Sequence, residues 1–290
     1  MANILRMDLY RLVHGKSLWI FLAVITVLAV ISAATMAYIT DPAFVQSMQA
    51  ASASGAPTGV HIGFSNGSGP SADDLAETNA LVAQLVQGMT PEALVGNVFL
   101  GGGGLSCLFV VFLAIFLAAE FESGFSKNVF TVQPSRLAFL GARIVAILVL
   151  AVLFTAVIVA ATLATAAVTG LELVSTPLPD FALWGVLVAL VAAGFGMLTA
   201  LAVWVTRKMA AGIGIGILLA SGLVTLGIQG LGMLVPSISF LSDYTLSSCM
   251  GSLSLGLGGP LGAVHIALVG AAFIAVAAVL SAAVLKRKDV

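Results

Sequence analysis

Polar and apolar residues are not interleaved along this chain but sorted into long blocks. Six stretches, 17–39, 98–119, 144–168, 181–205, 210–235 and 261–285, contain no Asp, Glu, Lys or Arg. Crossing a hydrocarbon core of about 30 Å takes around 20 apolar residues in a helix, and every stretch is long enough. The pattern predicts an all-α membrane protein with six transmembrane helices, the third reaching back to residue 137. The first block follows Arg6, Arg11 and Lys16 as a signal peptide would. Its apolar core is too long for one and no convincing small-x-small cleavage site follows, so it reads as a retained anchor.

The polar segments predict the remaining elements. Residues 1–16 read as an amphipathic helix on the membrane surface. Leu5, Leu9, Leu12 and Lys16 share one stripe, with Lys16 placed to snorkel and Arg6 and Arg11 turned towards lipid headgroups. The segment 40–97 begins with a Gly/Ser/Pro-rich loop, "ASASGAPTGVHIGFSNGSGPS". Short helices are expected after it, starting at Ser71 (with Asp74 three residues on) and at Thr90-Pro91-Glu92. Loops at 169–180 and 206–209 are short, and 286–290 is a basic tail. The segment 236–260 is apolar but broken by Ser and Gly, a candidate for folding back into the membrane where protein covers its backbone.

Composition agrees with a lipid solvent. The 290 residues are 60% hydrophobic and 8% charged, with mean hydropathy +1.17, against about 25% charged residues in soluble domains. A net charge of −1 gives no reason to expect nucleic-acid binding. Charge also fixes the expected orientation. With six spans, all eleven Lys and Arg residues fall on one side, which the positive-inside rule makes cytoplasmic, with both termini inside. Asp41, Asp73, Asp74, Glu77, Glu92, Glu172, Asp180 and Asp243 then face outwards.

Motifs of catalysis are present only in fragments. "HGKS" at 14–17 ends like a phosphate-binding loop, but Tyr10 stands where its first glycine belongs. "GFSNG" at 63–67 matches a nucleophile elbow without the strand-turn-helix context that makes one work. His14, His61 and His265 have no metal-ligand spacing, and two cysteines are too few for a disulfide framework. No catalytic residue, metal site or bound cofactor is predicted. The glycines "GGGG" at 101–104 open the second span, and Gly212 and Gly216 form a G-x-x-x-G pair that lets helix backbones approach. Leu105, Phe109, Phe112 and Phe116 share one stripe, either facing lipid or forming a wall of an apolar substrate cavity.

Transporters driven by ion gradients usually carry ionisable groups within their spans. These stretches carry none and the chain has no nucleotide-binding motif, so uphill transport would take its energy from another polypeptide. The charged segment "AAEFESGFSKNVFTVQPSR" at 118–136 is the largest inner loop such a partner would meet. Glu120-Phe121, Gly124, Lys127-Asn128, Pro134-Ser135-Arg136 and Arg143 resemble the inner-loop pattern of permease subunits of type-2 ATP-binding-cassette (ABC) exporters. Phe125 stands where a small or hydroxyl residue is common, and the opening "RMDLYRLVHGKSLW" resembles that family's N-terminal interfacial helix.

The resemblance extends over the whole chain and resembles lantibiotic-immunity and multidrug permeases in particular. It implies that 120–136 is a coupling helix resting on a separate ATPase subunit through Glu120, Phe121, Glu122, Gly124, Lys127, Asn128 and Arg136. It also implies a second permease subunit, alike or different, with ATP and magnesium bound by the ATPase. The substrate class implied is an amphipathic antimicrobial peptide, antibiotic or lipid-like molecule. A non-transporting membrane sensor or scaffold subunit, or an energy-independent channel, is the alternative.

Overall fold

Every regular element among the described residues is helical. The computed structural model describes residues 2–39, 41, 43–44, 47, 89–122, 136–171 and 173–287. Helix α1 (Ala2–His14) ends at Gly15, and α2 (Lys16–Ile39) follows at once. After the long polar segment come α3 (Pro91–Val95), a π-turn (Gly96–Leu100) and α4 (Gly104–Glu122). Then follow α5 (Arg136–Thr169), α6 (Leu178–Thr206), α7 (Met209–Ala220) and α8 (Leu223–Leu234). A 3₁₀ helix (Pro236–Tyr244), α9 (Leu246–Leu253) and α10 (Ala263–Arg287) complete the chain.

Five of these helices, α2, α4, α5, α6 and α10, are long and apolar enough to cross a membrane, and α7 with α8 make a sixth span if the bent pair counts as one. This is consistent with a multi-pass membrane protein. Helix α6 is the hub, packed against α4, α5, α7, α9 and α10. Its buried residues, among them Trp184, Leu187, Val191, Phe195 and Trp204, lie all around the axis, the pattern of a helix enclosed by protein. Helix α5 has 34 residues, about 51 Å at 1.5 Å per residue, so it outruns a hydrocarbon core by several turns.

Two predicted spans are interrupted. The second begins at Gly104, not at 98: the chain turns through Gly103 at φ 69°, a left-handed conformation that glycine adopts without strain. A Cβ on Gly103 would lie 2.5 Å from the Ala220 carbonyl oxygen, so close approach adds a second demand for glycine there. The fifth is broken at Ser221 and Gly222, where φ is 78° and the axis bends by 49°. An unbroken apolar run hides such breaks, because hydropathy registers side chains and not the handedness of the backbone.

The segment after α8 folds back along the hub. The Thr245 side chain accepts from the Ser248 N–H and starts α9, a normal N-cap. Leu246 then packs where a Cβ on Gly194, midway along α6, would stand, and the Trp184 indole N–H donates to the Leu253 carbonyl at 2.8 Å. Thr90 caps α3 at the predicted start, accepting from the Ala93 N–H. The start expected at Ser71 lies outside the described residues.

Candidate functional site

Helix α1 places Asp8 and Leu12 one turn apart on its buried face, with Arg11 beside them at 29% side-chain exposure. That face lies against α5 and the end of α4. Glu120 is two residues from the end of α4, and Arg143 lies two turns into α5. The four side chains meet. One Arg143 guanidinium nitrogen is 3.1 Å from Asp8 Oδ2 and another is 2.7 Å from Glu120 Oε1. Arg11 Nη1 donates to the same Glu120 oxygen at 2.8 Å.

Asp8, Arg143 and Glu120 are 0%, 1% and 2% exposed. Taking one such charge from water costs several kcal/mol, and a cluster survives only if it is neutral and close-packed. Two carboxylates against two guanidiniums satisfy the first condition. The rings of Phe139 and Phe116 help with the second: the Arg143 guanidinium lies 4.9 Å from the Phe139 centroid, and that of Arg11 5.4 Å from Phe116. Burial pushes the Asp8 carboxyl above its ordinary value, while Arg143 and, less strongly, Arg11 pull it back.

Residues 123–135 lie between Glu120 and Arg143, so one buried guanidinium and its partners hold both flanks of that segment. The cluster contains no nucleophile, and among the described residues no group of His, Cys, Asp and Glu is arranged to hold a metal ion. Its ion pairs tie α1 to the bases of two long apolar helices.

The predicted site residues divide between this region and the core. Glu120 was expected to face a partner, but its carboxylate faces Arg11 and Arg143 inside the protein. Arg11, expected to turn towards lipid headgroups, donates to Glu120. Phe121 packs half-buried against the core. Glu122 ends α4 and Arg136 begins α5, while Gly124, Lys127 and Asn128 lie outside the described residues.

Leu105, Phe109 and Phe112 are buried by the chain's own side chains. Phe109 and Phe112 both pack on Phe154, at centroid distances of 5.3 and 5.2 Å. These three positions therefore neither face lipid nor leave an open wall, whereas Phe116 borders a groove, described below. Gly212 and Gly216 are buried where α7 crosses α4 and α6. A Cβ on Gly212 would strike Val203, and one on Gly216 would lie 3.0 Å from both Thr199 Oγ1 and Val110 Cβ.

Sequence reasoning missed Asp8 and the pairing role of Arg143. The available signal was that Asp8 is the lone acid in the first forty residues and shares a face with Leu12.

Two cavities adjoin these elements. A groove of about 390 Å³ runs between α1 and α4, lined by Tyr10, Arg11, His14, Ser17, Ile115 and Phe116 among others. A crevice of about 100 Å³ lies at the breaks around Gly103 and Gly222, where the Ser106 hydroxyl is buried without a hydrogen-bond partner. No protein-family model matches this sequence, and no curated protein matches it either.

Proposed function

We propose that this chain is the membrane-spanning permease subunit of a type-2 ABC exporter. It moves an amphipathic molecule, such as an antimicrobial peptide, an antibiotic or a lipid-like compound, with ATP hydrolysed on a separate subunit. The basic end faces the cytoplasm, the chain pairs with a second permease subunit, and 120–136 is the element on which the ATPase acts.

The observation that carries this reading is the buried cluster of Asp8, Arg11, Glu120 and Arg143. A loop that only joins two spans needs no buried ions at its base. A loop that takes a mechanical load must pass it to its flanking helices, and the buried ion pairs at both flanks link those helices. A second observation concerns the energy source. The ionisable side chains of the described spans, Lys16, Glu120, Arg143, Asp180 and His265, lie towards helix ends and not at mid-helix, unlike the intramembrane relays of ion-driven pumps.

Purification of the tagged chain from its own host tests the reading. An ABC ATPase subunit should co-purify, and its ATP hydrolysis should rise in the complex. Recovery of the chain without any ATPase would favour the sensor or scaffold. Conduction by the purified chain alone would favour the channel.

A further inference from the structure

We propose that the groove between α1 and α4 is a binding site for one anionic phospholipid of the leaflet on the basic side. The inference needs only that the chain is embedded in a bilayer, and it stands apart from the exporter reading.

The shape of the groove argues for a lipid. Its floor, Ile115, Phe116 and Ala119, occupies the last two turns of a membrane-crossing helix, and Ser17 at the start of α2 closes one side. An open apolar furrow at that depth borders the acyl region, so an acyl chain fills it. The opposite wall is α1, with Tyr10 stacked on His14 at 3.9 Å between centroids. The His14 Nδ1–H donates to the Tyr10 carbonyl at 3.0 Å, which turns Nε2 away from its own helix. Trp19, 60% exposed, donates its indole N–H to the Val13 carbonyl. Such aromatic groups collect at headgroup level.

Charge selects the headgroup. Asp8 is the lone acid of α1 and α2 and is fully buried. Glu120, the acid nearest the groove floor in sequence, is buried as well. Arg6 and Lys16 are exposed, and Arg11 forms part of the groove wall while bound to Glu120. The ion cluster thus keeps Asp8 and Glu120 off the surface, while the exposed Lys16 lies between the lining residues Gly15 and Ser17 and the exposed Arg6 lies one turn before Tyr10 on α1. A phosphodiester with a net negative charge is the complement; a zwitterionic headgroup brings its own cation and gains less.

The test is native mass spectrometry of the purified full-length chain in detergent containing equal phosphatidylglycerol and phosphatidylcholine of the same acyl composition. Wild type should retain phosphatidylglycerol in excess. Lys16→Gln with Arg6→Gln, both exposed positions, should cut that excess by about fivefold per charge removed. Ala119→Trp fills the furrow and should abolish retention while the thermal midpoint is unchanged. Millimolar inorganic phosphate should not displace the lipid; displacement would mean a phosphate site with no acyl component. Equal retention of the two lipids, or full retention by Ala119→Trp, would overturn the proposal. So would a photo-crosslinker at His14 that labels a protein and not phosphatidylglycerol in native membranes.

Discussion

Arg143 holds the basic end together, because it bridges two buried carboxylates that would otherwise repel each other. Removing one partner from a buried ion pair typically costs about 3–5 kcal/mol, since the charge left behind is uncompensated. Arg143→Ala should therefore lower the thermal midpoint sharply in detergent. Adding Glu120→Gln leaves Asp8 and Arg11, one charge of each sign, and should restore part of the loss. Strict additivity of the two changes would show that Glu120 and Arg143 are not coupled. The same geometry governs how the proposed docking and transport are probed. Reversing Glu120 would break the cluster, so a loss of transport there would report damage to the fold as much as loss of a contact. Reading the sequence as spans and loops identified Glu120 and Arg143 as charges beside the membrane. It did not reveal that they face each other, because pairing across 23 positions depends on how α4 and α5 cross.

At the scale of elements, helix existence was legible and helix continuity was not. Apolar blocks of the right length mark α2, α6 and α10 within a few residues, and the end of α5, because a lone segment crossing hydrocarbon satisfies its own backbone as a helix. The turns at Gly103 and Gly222 fall inside equally apolar runs, and nothing in hydropathy separates them from glycines that stay helical. Gly212 and Gly216 are of that second kind. Their G-x-x-x-G spacing was visible, but their neighbours, Val203 and Ala114 for the first, Thr199 and Val110 for the second, required the structure. Gly212→Leu would drive a side chain into Val203 and Ala114, and overpacking of this sort costs about 1–3 kcal/mol. The variant should insert at normal abundance yet show a lower midpoint. Gly214→Leu, where a Cβ meets nothing within 4 Å, should not. Equal midpoints for the two variants would mean that α7 does not depend on close approach at Gly212.

The whole molecule is a bundle around α6, with α1 clasped to the bases of α4 and α5 by buried ions that also flank the charged segment. The candidate site was half visible in the sequence. The charged segment stood out against apolar surroundings, while its support from Asp8 depended on α1 packing against α5. In the exporter proposed above an ATPase subunit sits on this segment, and crosslinking from residue 127 can detect it. A photoactivatable residue in place of Lys127, irradiated in native membranes, should yield one dominant protein adduct containing an ABC ATPase subunit. An adduct with lipid alone, or with a protein that has no nucleotide-binding domain, would rule out an ATPase docked at this segment.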